Sequence, residues 1–313
     1  MKNRLVIMAG SVTVICLLAL SMFLLPSESV AQHSNQFQLT HRDVAYGSHE
    51  RNVVDFYQAE SIQPTPVIVY FHGGGFTHGD KGGINERMYN LCMENGISLA
   101  AANYRFTDTA QYPAQMHDCA RAIQFLRSKA KEWNIDASRV AAFGGSAGAG
   151  ISLWLAFHDD MADPTAIDPV LRQSTRLSSA CGYQAQCAYD PRMVREIVPG
   201  GAYNHGALKL LFGVPRDWNW DTAEIGRNLS DLMKDASPIT HLTKDDSPIF
   251  LYHREEQDIP GNIHHANMGR HLKKEMDKID IECVRTMSTE FGDEKLNKHY
   301  EAGFRFMLKH FAK

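Results

Sequence analysis

The chain has 313 residues with 36 acidic and 32 basic side chains, a formal net charge of −4. This mild acidity, with no basic stripe and no polybasic cluster, argues against nucleic acid or an anionic membrane surface as the main partner. Set aside a short leader, and the remaining length suits one large α/β domain with an ample core.

The N-terminus reads as an address. Lys2 and Arg4 precede an apolar run from Leu5 to Leu25, which Pro26, Ser27 and Glu28 break. Ser29 and Ala31 then stand at the spacing of an A-x-A-type cleavage site, so residues 1–31 are expected to be a signal peptide cut after Ala31. The run is also long enough to span a bilayer, and an uncleaved anchor is the competing reading. Both readings place the folded part outside the cytoplasm, secreted or periplasmic. Cys16 follows Val14 and Ile15, not the small residues of a lipoprotein signal.

The mature domain is expected over residues 32–313. Asn52 to Tyr57 suggests an early edge hairpin. Val67-Ile68-Val69-Tyr70-Phe71 is a β-branched and aromatic run typical of a strand buried on both faces. It runs into His72-Gly73-Gly74-Gly75-Phe76, a glycine cluster at the strand's C-terminal edge. A polar helix over about 83–95 precedes a strand from Ile97 to Tyr104. Pro113 opens a helix whose apolar positions include Met116, Ala122, Phe125 and Leu126. Val140 to Phe143 predicts a further strand, and an apolar helix follows from Ala147 to Phe157.

This alternation predicts the α/β class, with a mostly parallel central sheet covered by helices on both faces. Later strands are expected at Leu177–Tyr183, Pro248–His253 and Ile281–Met287, and a final helix at Leu296–Phe311. The looser stretch over about 189–247 predicts a small cap-like insertion.

Five cysteines lie beyond the leader: Cys92, Cys119, Cys181, Cys187 and Cys283. An odd number leaves at least one thiol unpaired. Cys181 and Cys187 are near enough in sequence for a local disulfide, and Cys92 and Cys283 read as small core residues. No C-x-x-C motif points to a zinc ribbon or a redox site.

The chemistry concentrates in Gly144-Gly145-Ser146-Ala147-Gly148. Between a strand and a helix, G-x-S-x-G puts Ser146 on a sharp turn, with its backbone at the positive end of the helix. The pattern alone is weak, because five residues recur by chance. The glycine cluster at 73–75 strengthens it, since such a turn leaves backbone N–H groups free to face an oxyanion, with the N–H of Ala147 adding another.

From Val67 to Phe157 the chain resembles a known family. The segments that carry the likeness are His72-Gly73-Gly74-Gly75-Phe76, Asn103-Tyr104-Arg105-Phe106, Tyr112-Pro113-Ala114 with Asp118, Trp133 through Val140, and Gly144 through Gly148. It is similar to the esterase and lipase group of α/β-hydrolases with a His-Gly-Gly-Gly oxyanion motif. That group includes hormone-sensitive-lipase-like and carbohydrate-esterase-like enzymes of the acetyl xylan and feruloyl esterase type. The resemblance implies an α/β-hydrolase fold and ester hydrolysis through an acyl-enzyme, with Ser146 as nucleophile, Gly74, Gly75 and Ala147 as oxyanion donors, and no cofactor. It implies that His72 and Asp118 hold neighbouring turns.

Downstream the pattern departs from the family in both remaining roles. The family's triad acid would fall on Gln257, and Asp258, one residue later, is the expected acid. The family's base lies between the last strand and the last helix, but 288–293 contains no histidine. His299, early in the final helix, is the expected base, with His264 and His265 as alternatives. The histidines and acids from His253 to His271 match no metal-ligand spacing, so no metal is expected. The substrate implied is a small-molecule or carbohydrate ester of small acyl groups. The alternative is a catalytically impaired hydrolase-fold protein that binds a ligand, because the usual histidine position is empty.

Overall fold

Eight strands form among residues 37–312, the part that the computed structural model describes. They are β1 (His41–Ala45), β2 (Val53–Tyr57), β3 (Thr65–Phe71), β4 (Ser98–Ala102), β5 (Ile135–Gly145), β6 (Ser179–Tyr183), β7 (Ile249–His253) and β8 (Cys283–Met287). They make one sheet in the order β1-β2-β4-β3-β5-β6-β7-β8. β1 and β2 form the expected antiparallel edge pair, β2 runs antiparallel to β4, and every later pairing is parallel. The compact unit begins at Gln38. The leader expected over 1–31 lies outside the described residues. No helix among the described residues is long and apolar enough to cross a membrane.

Each parallel crossover carries a helix. α1 (Glu86–Glu94) packs against α8 (Lys295–Phe311) on one face, and Arg87 and Glu301 join them through a 2.9 Å ion pair. α2 (Ala114–Ser128) and α3 (Ala147–Phe157) pack together on the other. β3 explains why its run is continuous, not alternating. Val67, Val69 and Phe71 enter the cluster with α2 and α3, while Ile68 is equally buried outside that cluster. Burial of each such side chain contributes about 1.5–3 kcal/mol, so both faces of a central strand favour apolar residues.

Two regions differ from the expectation. The stretch between β6 and β7 is not loose. It forms α4 (Pro191–Ile197), α5 (Gly206–Leu211) and α6 (Arg227–Ala236), then a 3-10 turn at Pro238–His241. The segment after β7 contains α7 (Asn267–Asp277), which was not expected. Its buried Met268, Leu272 and Met276 stand four apart, a helical signal masked by the density of charged and histidine residues between them. All five cysteines of the domain are buried free thiols, so Cys181 and Cys187 form no disulfide.

Candidate active site

Sheet register places the serine. Phe71 at the end of β3 pairs with Gly144 of β5, and the chain turns at Ser146 directly into α3. Ser146 has φ +53° and ψ −119°, a region that L-residues adopt at a cost of order 1–3 kcal/mol. Its N–H donates to Tyr183 O at 2.9 Å, and its carbonyl accepts from Gly150 N at 3.0 Å, which holds the turn from both sides. A Cβ on Gly144 or Gly148 would collide with Phe71 O, so the sharp turn needs both glycines.

The second element is the glycine turn after β3. Gly74 and Gly75 have φ of +109° and +58°. Among the described residues, the N–H groups of Gly74, Gly75 and Ala147 have no hydrogen-bond partner. All three residues line one cavity of about 660 Å³ together with Ser146 and His264. The turn is braced from outside. His72 stacks on Tyr104 at 4.2 Å, and Tyr104 Oη donates to His72 O at 2.8 Å. Asp118 takes Arg105 in a two-pronged pair at 2.6 and 2.8 Å, fixing the strand exit beside it. Burial pushes His72 down to about 4, so the brace carries a neutral imidazole.

A Cβ at Gly74 would run into the carbonyl of His78, and the positive φ adds strain. Gly74→Ala is therefore expected to lower kcat on p-nitrophenyl acetate at least tenfold, through displacement of the donor N–H groups. Steady-state rates alongside a melting curve check this, and retention of both fold and kcat would make the turn purely structural.

The histidine that meets the serine is His264. Its Nε2 lies 2.8 Å from Ser146 Oγ. It sits in the loop between β7 and α7, where Asn262 Oδ1 accepts from the His264 N–H at 2.9 Å and Gly261 N donates to Pro199 O at 2.7 Å. Burial lowers the His264 pKa below the ordinary imidazole value, and the nearby His205 and Arg254 lower it further. His299, the expected base, lies elsewhere: its ring stacks flat on Tyr252 at 4.4 Å and walls a second cavity of about 250 Å³ that also touches Ser146. The physical reason is packing: His299 lies against the Tyr183 and Tyr252 rings, and all three line the second cavity, not the one that His264 lines.

Asp258 is likewise placed differently from the expectation. Its Oδ1 lies 2.9 Å from His265 Nδ1, and Arg270 grips both oxygens at 2.5 and 3.0 Å. The Arg270 guanidinium holds its carboxyl below the usual range. Asp258 Oδ1 also accepts from Ala266 N at 3.2 Å, so this carboxylate anchors the loop that presents His264. Among the described residues, no carboxylate hydrogen-bonds to His264. His265 is buried against Asp258 and not at the serine.

The β6–β7 segment contributes Asn204, His205, Ala207, Leu208, Lys209 and Arg216 to the cavity lining. Among the described residues, no acidic side chain lines the cavity. This charge balance suits a neutral or anionic guest and opposes a cationic one.

Known proteins resemble this chain in sequence and in fold. The BD-FAE family model matches residues 54–262, about two thirds of the chain. A probable carboxylic ester hydrolase, LipM of Mycobacterium tuberculosis (strain ATCC 25618 / H37Rv), is 27% identical over 227 residues, covering 70% of this chain and 48% of that protein. An ethyl acetate hydrolase of Pseudomonas putida is 30% identical over 90 residues, 29% of this chain and 28% of that one. The chain thus spans about half, or less, of the length of these relatives. Among solved structures, a truncated carbohydrate esterase from gut microbiota superposes with a TM-score of 0.69 at 18% identity, covering 89% of this chain and 98% of that one. That likeness is one of fold.

Proposed function

The chain belongs to the BD-FAE family, and from that membership together with the site geometry we propose that it is a carboxylic ester hydrolase working through Ser146. The observation that carries this reading is the 2.8 Å contact between His264 Nε2 and Ser146 Oγ, in a cavity that also holds three unpaired backbone N–H groups. His264 takes the proton of Ser146 as Oγ attacks the ester carbonyl. The N–H groups of Gly74, Gly75 and Ala147 receive the oxyanion of the tetrahedral intermediate. His264 then returns the proton to the leaving alcohol, and a water repeats the cycle to release the acid. No step calls for a cofactor.

The substrate we infer is an ester of a small acyl group, free or on a carbohydrate. The names of the relatives point the same way, and a cavity of about 660 Å³ accommodates such a molecule. The cap reading of residues 189–247 fits the contribution of residues 204–210 and Arg216 to the cavity wall. We also propose that residues 1–31 direct export, with mass spectrometry of the mature protein as the check. A fluorophosphonate probe tests the function directly. Rapid labelling at Ser146 supports an activated serine, and an unlabelled, folded protein favours a ligand-binding relative.

The pH dependence follows from His264. The base works only when neutral, so activity is present above its pKa and is lost as pH falls through it. Because burial, His205 and Arg254 lower that pKa, the acid limb of kcat/KM is expected to have its midpoint below about 6.5, the free imidazole value. A midpoint at or above 6.5 in a full pH–rate profile contradicts this assignment.

A further inference from the structure

The opposite end of α3 from Ser146 holds a cluster that ester hydrolysis does not use. α3 spans Ala147–Phe157, with Ser146 capping its start and His158 its end, roughly 17 Å apart along the helix axis. At that far end three elements meet: His158, Asp235 in the last turn of α6, and His241 at the end of the Pro238–His241 turn. One ligand atom from each of these side chains lies within 4.8 Å of the other two. The two imidazole rings are 4.7 Å apart.

All three side chains are held in place by hydrogen bonds, and His241 Nε2 also lies 3.7 Å from Asp235 Oδ1. His158 Nδ1 donates to Asp159 O at 2.9 Å, and His241 Nε2 donates to Asp235 O at 2.7 Å. An imidazole that gives its one ring proton to a carbonyl keeps a lone pair on the other nitrogen, which is the form that ligates metals. Tyr112 Oη donates to Asp235 Oδ2 at 2.5 Å, and Trp154 Nε1 donates to Asp235 O at 3.0 Å. His158 also rests on Trp154, with ring centroids 4.1 Å apart. Asp235 and His241 line an open cleft of about 680 Å³ shared with Asp231, Lys234 and Thr240, so solvent ions reach the cluster.

We propose that His158, Asp235 and His241 form a binding site for a divalent cation of the Zn²⁺ type, completed by a water molecule. Two imidazole nitrogens and one carboxylate oxygen with an open fourth position suit tetrahedral zinc. Ligand bonds of about 2.0–2.2 Å require the three side chains to draw in around the ion by roughly 1 Å. The ion ties the end of α6 and the turn before β7 to α3. Its role is therefore structural, holding the base of the segment that walls the active-site cavity.

The test is titration of ZnCl₂ into chelator-stripped protein by isothermal calorimetry, with melting curves alongside. The expected result is one equivalent bound at micromolar or tighter concentration and a melting temperature raised by several degrees. His241→Gln and Asp235→Asn should each weaken binding at least tenfold and abolish the shift in melting temperature. His158→Gln, at a helix end, supplies the same comparison should either variant misfold. Absence of binding at 100 μM Zn²⁺ overturns the proposal. So does an isotherm that all folded variants leave unchanged, because the ion would then sit elsewhere.

Discussion

Ser146→Ala is expected to lower hydrolysis of p-nitrophenyl acetate by roughly 10⁴-fold or more, to the level left by cavity binding and the N–H groups alone. The same variant should melt within a degree or two of the wild type. Ser146 Oγ is bonded to His264, but the backbone bonds to Tyr183 and Gly150 that hold the turn do not involve the hydroxyl. Alanine keeps the Cβ and inherits the same unfavourable φ, so neither packing nor backbone strain changes much. The variant should also lose fluorophosphonate labelling. Activity that persists at the wild-type rate would remove Ser146 from the mechanism whatever its geometry.

The second large effect is expected at His264. His264→Gln should reduce kcat on the order of 10⁴-fold, because glutamine can hydrogen-bond Ser146 Oγ but cannot accept its proton at neutral pH. His299→Gln, by contrast, should leave kcat within a few-fold, since that ring stacks on Tyr252 in a separate cavity. The two variants measured side by side decide between the imidazoles. A silent His264→Gln with a disabled His299→Gln would reverse the assignment. Asp258→Asn makes a useful third comparison. Its carboxylate grips Arg270 and lies against His265, so its loss should loosen the loop and lower the melting temperature more than it lowers kcat. A loss of kcat equal to that of His264→Gln would instead make Asp258 part of the proton relay.

Much of this protein was legible in adjacent residues. The β-branched run at 67–71, the apolar helix at 147–157 and the early edge pair all became the expected elements. The glycines around Ser146 were legible for the same reason: a strand that turns at once into a helix brings its backbone against Phe71 O, and only residues without a Cβ fit there. Such requirements are local, and a short window of sequence contains all of their causes. The unexpected α7 was also local, and its Met268, Leu272 and Met276 spacing was simply outweighed by the polar residues around it.

The partners of Ser146 are a different kind of fact. The bond to His264 joins residues 118 positions apart, across strands β6 and β7 and the helices between them. His264 and His265 are neighbours with the same chemistry, yet one meets the serine and the other Asp258. The turn built by Asn262 and Asp258 decides which imidazole faces which partner, and no periodicity or composition records that orientation. The same holds for His158, Asp235 and His241, which lie far apart in sequence and converge only because α6 and the turn after it fold back onto the end of α3. The sequence by itself determined the sheet, the serine turn and the glycine turn facing it, because short-range sterics dictate them. Tertiary structure alone decided which histidine meets Ser146, because side-chain direction in a long loop is set by contacts that the chain makes only after it has folded.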